Sequence, residues 1–282
     1  MNYTIDHNVL SSFKEYADYF LVKNTNAFIN INDTPLTLYT EQDKKVKTKN
    51  IYGSKYCQLN PYVEVSGVQA SEVSVAGTPI SEGDDGLVID YLRGRAVFDG
   101  GYIATPVTLD TSIKEFNTFI SSDPEEKIML EVLDSKLPTL TTVDYIKDPY
   151  GFCVPNIFFK IDSTDNEPYC MGGPKKTNWK IRAIIFSDSE FLLAGAVSCF
   201  RDYFGKYFPL IGSANSPFNE YGGLKTAAWR YSDFLNDSAL DICFIEKVLY
   251  TPVQPQSFTK NNINVYIGVC DFYVSNKRSN LV

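Results

Sequence analysis

The stretch 178-NWKIRAIIFSDSEFLLAGAVSCFRDYFGKYFPLI-211 sets the plan of the chain. It opens with Trp179, Ile181, Ala183, Ile184, Ile185 and Phe186, a short apolar run that reads as a buried strand. Ser187-Asp188-Ser189-Glu190 follows. Asp188 or Ser189 can accept hydrogen bonds from the free N–H groups of a first helical turn, so a helix starts here. The spacing predicts that it runs from about Glu190 to about Tyr207 and ends at Pro209. Phe191, Leu192, Ala196, Val197, Phe200, Tyr203, Phe204 and Tyr207 recur at helical spacing, which predicts one buried face. A strand feeding directly into an amphipathic helix is a packing unit that the remaining elements must cover. Nothing in the unit is chemically reactive, so it speaks of architecture and assembly.

Working outward, Val154–Asp162 reads as a strand and Ser163–Thr177 as a polar loop. On the other side, Gly212–Asp237 reads as a long loop carrying Phe218, Tyr221 and Trp229. Two readings of that loop stand open: it reaches a neighbouring subunit, or Phe218 and Trp229 pin it to its own domain. Leu240–Pro252 and Ile263–Ser275 alternate over long runs and predict an antiparallel pair that closes the chain.

Towards the N-terminus, Val9, Leu10, Phe13, Tyr16, Ala17, Phe20 and Leu21 predict an amphipathic helix over Asn8–Asn24. Ala27–Tyr39 looks extended, broken at Pro35. Between Pro61 and Ser122, the alternations Val63/Val65, Val73/Val75 and Leu87/Ile89/Tyr91 come with frequent Gly turns and suggest a small sandwich or barrel. Asp123-Pro124-Glu125-Glu126 signals a helix start, whereas Lys127–Leu133 also alternates as a strand would; both readings stay open. The expected fold class is α+β: a mixed or antiparallel sheet flanked by two amphipathic helices, with a β-rich inserted subdomain. Residues 1–60 form the N-terminal helix and extended segment of the core, 61–122 the insertion, and 123–282 the α+β core.

The chain has 282 residues, 44% hydrophobic and 21% charged, with no apolar run long enough to cross a bilayer. Its start, MNYTIDHNVL, has no basic and apolar leader pattern, so folding in a cytoplasm is expected. A net charge of -8 argues against a general nucleic-acid binder and suits a protein that nucleic acid passes without sticking. Lys44, Lys45, Lys47 and Lys49 read either as a docking patch or as a solvated strand edge. No pair of the six cysteines has CxxC spacing, so no zinc site is assigned. Cys199, Cys243 and Cys270 read as buried small hydrophobes, and a disulfide framework is not expected.

Acid–base catalysis needs a group that titrates near neutrality beside a second in reach. The one histidine, His7, is expected in a frayed terminus, and the pairs Asp84-Asp85 and Glu125-Glu126 sit at a turn and a helix start. No catalytic, cofactor or metal residue is assigned. Two carboxylates are all a glycosidase needs, so a glycan hydrolase stays open as an alternative, as does a glycan-binding groove lined by Tyr62, Tyr91 and Tyr102.

From Gly151 onward the order of strand, strand, helix, long loop, strand, strand resembles the tail-terminator and neck proteins of tailed bacteriophages. WKIRAIIFSDSEFLLAGAVSCFRDYF (179–204) followed by YFPLI (207–211) carries the likeness, with LDICFIEKVLYTP (240–252) and INVYIGVCDFYVS (263–275). IDYLRGRAVFDGG (89–101) and IKEFNTFISSDPEEKIMLE (113–131) are similar to stretches of phage virion structural proteins. The resemblance implies a virion protein assembled in the host cytoplasm. It would form a homo-oligomeric ring, a hexamer, that caps the tail tube and meets the connector, with the sheath as a further neighbour. DNA would pass through its lumen, without a cofactor, a membrane or catalysis. The expected interface residues are Lys44, Lys45, Lys47, Lys49, Phe218, Tyr221 and Trp229.

Overall fold

A computed structural model describes residues 3–38, 49–99, 106–136, 154–168, 175–212, 215–219, 222–226, 229–237, 240–253 and 265–278. It corrects the expected fold class: among the described residues the protein is mostly β, 47% strand and 23% helix, in two curled half-barrel sheets.

The first sheet has seven strands in the order β4-β3-β7-β1-β2-β6-β5. They are β1 (Phe28–Leu38), β2 (Lys49–Gly53), β3 (Glu72–Val75), β4 (Thr78–Ile80), β5 (Val88–Asp90), β6 (Arg95–Asp99) and β7 (Val107–Lys114). The β-rich region therefore begins at Phe28, and the extended segment Ala27–Tyr39 is one of its central strands. Pro35 does not break β1. It pairs in register with Thr108, just past an irregularity between Ile31 and Thr34 where Asp33 takes a φ of 49°. Val63 and Val65 do not form a strand; Val65 N–H closes a turn onto Tyr62 O. Leu36, Val73, Leu87, Ile89, Phe98 and Leu109 fill the first core.

The second sheet has six strands in the order β11-β12-β13-β10-β9-β8. They are β8 (Asn117–Ile120), β9 (Asn156–Pro168), β10 (Lys175–Ser187), β11 (Tyr207–Pro209), β12 (Ile242–Val253) and β13 (Tyr266–Arg278). The opening stretch gives the central strand β10, hydrogen-bonded on both sides, and its apolar run is buried on both faces because a core covers each. The closing pair forms as the alternation predicts, with β12 antiparallel to β13.

Four helices complete the described chain: α1 (Tyr3–Thr25), α2 (Glu125–Lys136), α3 (Glu190–Arg201) and α4 (Tyr231–Leu235). The open reading at 127–133 resolves as helix, with Glu125 and Glu126 in its first turn where acids oppose the dipole. Ser189 is the N-cap residue of α3, though its side chain makes no capping bond. That helix ends six residues before the expected Tyr207, because the chain turns at Gly205 (φ 72°) and re-enters the sheet as β11. Its buried face holds Leu193, Ala196, Val197, Cys199 and Phe200. Phe191, Phe204 and Tyr207, expected in that face, are 83%, 66% and 53% exposed.

The helices do not flank a sheet as expected. One face of the six-stranded sheet curls around α1 and α3, and Phe13, Tyr16, Phe159, Trp179, Phe200, Tyr203 and Phe272 fill the space between. Helix α1 is buried on every side from Ser12 to Tyr19. A helix buried all round is a core element, and amphipathic spacing alone does not reveal this. The opposite face of the sheet carries a smaller core under α2, made by Phe158, Ile184, Phe186 and Ile267 with Ile128 and Val132.

Candidate functional site

The polar side of α1 is where the charged residues of the interior meet. Lys14, Glu15 and Asp18 would face water on an amphipathic helix; here all three are buried. Lys114, at the end of β7, reaches across from the first sheet and donates to Asp18 Oδ2 at 2.8 Å. Lys14 donates to Glu15 Oε1 at 3.0 Å. Tyr62 OH lies 3.0 Å from both Glu15 Oε2 and Asp18 Oδ2, so a single proton serves two carboxylates. Two ammonium groups and two carboxylates leave the cluster neutral, the condition under which buried charges are tolerated. Burial alone would raise the Asp18 pKa, but Lys114 and Lys14, with hydrogen bonds from Lys114 and Tyr62, hold it below the usual carboxylate range. Burial, followed by the two neighbouring carboxylates, pushes the Tyr62 phenol well up.

A cleft of about 350 Å³ opens above this cluster. His7, Ser11, Ser12 and Glu15 of α1 form one wall; Ile211, Gly212, Ser216–Asn219 and Lys225 form the other. Ser12 Oγ joins the walls, accepting from Ile211 N–H at 2.8 Å and donating to Asn8 O at 2.6 Å. Among the described residues Glu15 is the only carboxylate in the lining, and both its oxygens are engaged by Lys14 and Tyr62. His7, expected near the terminus, stands in the second turn of α1 and lines this cleft.

The loop wall is a compact turn. Asn219 N–H donates to Gly223 O at 2.8 Å, and Gly223 N–H to Asn219 Oδ1 at 3.0 Å. Gly222 docks the turn on the first sheet: its carbonyl accepts from Tyr91 N–H at 3.0 Å, and at φ 83° its missing Cβ would fall 2.0 Å from Asp90 Oδ1. Only glycine fits that approach.

Of the expected interface residues, Phe218 lines the cleft, with Lys14 Nζ 5.8 Å from its ring centroid. It also packs on the first core. Trp229 is buried and touches Tyr62, Tyr231 and Phe234 of its own chain. Lys49 begins β2 and pairs with Asp99. Lys44, Lys45, Lys47 and Tyr221 lie outside the described residues. Tyr62 and Tyr91, offered as a glycan-binding surface, are buried in the interior; Tyr102 lies outside the described residues.

Cys199, Cys243 and Cys270 are buried, as small hydrophobes would be. Cys57 is disulfide-bonded, a bond that the expectation of no disulfide framework did not foresee.

Sequence reasoning missed two surface features. The first is an apolar corner on the β11–β12 side, where Tyr207 and Phe244 pair across the strands with ring centroids 6.3 Å apart and Ile242 lies beside them. The expected burial of Tyr207 hid it; the alternation of exposed Ile242 and Phe244 with buried Cys243 and Ile245 was its only signal. The second is an ion network on the outer sheet face. Arg182 donates to both Asp271 oxygens at 2.6 and 2.9 Å and to Glu125 at 2.7 Å, and Lys180 bridges Asp162 and Asp271.

No protein-family model matches the chain, and no curated protein matches it. Among the described residues, no helix is long and apolar enough to cross a membrane.

Proposed function

We propose that the chain is a structural protein of a tailed-phage virion, working by assembly and not by catalysis. It forms a closed homo-oligomeric ring at the head–tail junction, ends the tail tube, joins it to the connector and lets DNA pass. The sequence resemblance supplies the setting. The observation that carries the reading is the uneven placing of exposed apolar side chains. Among the described residues, seven of the eleven exposed large apolar side chains, Phe191, Phe204, Tyr207, Ile242, Phe244, Leu249 and Tyr250, lie on α3, β11, β12 and the turn after α3; Ile29, Val63, Ile120 and Tyr266 lie elsewhere. Exposed apolar side chains gathered on one part of a chain mark a docking site, and Tyr207 and Phe244, in register and ring to ring, are its centre. The net charge of -8 fits a lumen that does not hold DNA.

Electron microscopy of the purified chain, alone and with isolated tail tubes, tests the proposal. Closed particles of one symmetry with a central lumen are expected. A chain that forms no ring in either condition overturns it.

A further inference from the structure

Among the described residues, the six-stranded sheet is left open at two diagonally opposite corners. On one side β8 covers only the start of β9, pairing Asn117–Ile120 with Asn156–Phe159. From Asp162 to Pro168 every β9 residue is exposed. On the other side β11 covers only the start of β12, pairing Tyr207–Pro209 with Ile242–Phe244. Residues 246–253 of β12 are exposed or half-buried, with no strand beside them among the described residues. A free strand edge is a template for another strand.

We propose that these two edges are halves of one contact: the open part of β9 in one copy pairs with the open part of β12 in the next. The inference names the contact for the self-assembly proposed above and rests on that reading for its purpose, although not for its geometry. Three features fit the edges to each other. They run in opposite senses, because β9, β10, β13 and β12 are successively antiparallel, so a neighbour placed edge to edge meets an antiparallel strand. Their lengths match, Asp162–Pro168 against Glu246–Val253.

One pair of charges also matches. Glu167 is carried on the outer sheet face, in register with Lys176 and Lys277, and Lys247 is on the same face, in register with Tyr273. Setting Glu167 opposite Lys247 brings Asp165 opposite Leu249 and Thr164 opposite Tyr250, and it keeps both sheet faces continuous. Pairing β9 with a second β9 would instead set Asp165 against Asp165, a repulsive arrangement. Asn166 N–H donates to its neighbour Asp165 Oδ1 at 2.8 Å, and a carbonyl of the arriving strand replaces that acceptor.

Such a contact is head-to-tail, so it propagates to a ring or a filament and does not stop at a dimer. Glu167→Lys and Lys247→Glu change exposed side chains and leave the fold intact, which thermal melting checks. Sedimentation should show self-association of each variant weakened, about fivefold for a lost ion pair facing a like charge. An equimolar mixture of the two variants should recover, since each altered edge then meets its complement. Asn166→Pro should abolish association while leaving the melting temperature within a few degrees.

The contact is overturned if native and variant chains associate equally, if the mixture does not recover, or if the native chain stays monomeric. Rings that persist in all variants would overturn the edge contact and leave the proposed function standing. Edge-dependent filaments without closed rings would do the reverse.

Discussion

The two sheets solve the problem of burying a face in different ways. The seven-stranded sheet uses mostly short strands, several of three to five residues, and curls until its own aliphatic side chains fill the hollow. The six-stranded sheet uses four strands of 12 or 13 residues and stays wide enough to need two helices inside it. Its core is aromatic: the Phe13 ring on α1 lies 4.8 Å from that of Phe272 and 5.5 Å from those of Phe159 and Phe208. Large rings reach across a gap that aliphatic side chains on one sheet would leave empty. The difference has a consequence for assembly. Long strands outrun their short neighbours β8 and β11, so β9 and β12 keep long stretches with no strand beside them among the described residues. The two halves meet at α1, where Lys114 of one sheet finds Asp18 on the helix held by the other.

The largest expected effect comes from cutting that tie. Lys114→Met leaves Asp18 buried without its main cation and should cost about 3–5 kcal/mol in urea unfolding. The double change Asp18→Leu with Lys114→Met removes both charges, leaves Lys14, Glu15 and Tyr62 self-sufficient, and should regain most of that loss. If the double variant is as unstable as the single one, the ion pair is a source of stability and not merely a register between the halves. Phe13→Ala should fall in the same range, about 3–5 kcal/mol, because the surrounding rings cannot collapse into the space.

The pH dependence sharpens the same point. Folding lowers the Asp18 pKa, so its contribution is complete above the unfolded value of about 3.9 and is lost as pH falls through the lower folded value. Unfolding curves should therefore show this term constant from pH 7 to 5 and declining below about pH 4. The double variant lacks the group, and its stability should fall less steeply over that acid range. An equal slope in both proteins would assign the acid sensitivity to other carboxylates.

Much of the long-strand half is legible in the sequence, because its strands are long. Trp179–Phe186 and the pair 240–252 and 263–275 alternate or run apolar for enough residues to fix their type. The short-strand half reads only as turns and fragments. Three residues such as Thr78–Ile80 carry no periodicity, and only pairing with β3 makes them a strand. The same limit explains α1. Lys14, Glu15 and Asp18 look like a solvated stripe until Lys114, 96 residues from Asp18, arrives to neutralise it. The candidate cleft was illegible for the same reason, since His7 and Phe218 share no local pattern. Phe191, Phe204 and Tyr207 kept helical spacing with the buried residues, yet the chain had already left the helix or faced outward.

Gly222→Ala tests how firmly the two halves are clasped at a second point. The new methyl would meet the Asp90 carboxylate, and the backbone would keep a left-handed φ of 83° that alanine resists. About 1–3 kcal/mol of destabilisation is expected, smaller than for the buried charges because the turn can shift outward. Loss of protection from hydrogen exchange at Tyr91 N–H, which donates to Gly222 O, would place the damage at this clasp.

The smallest effect should come from the most conspicuous ion network. Arg182 is bound to Glu125 and to both oxygens of Asp271, an arrangement that looks like a fastening of α2 to the sheet. Yet its side chain keeps 21% of its exposure, so water and salt screen the pairs that it makes. Arg182→Met should cost no more than about 1 kcal/mol, and the cost should shrink in 1 M salt. A larger, salt-insensitive loss would show that α2 depends on the network more than on Ile128 and Val132 beneath it. The outer face of the long-strand sheet would then be held by charge, as the tie at Asp18 is, and the two halves would differ less than their cores suggest.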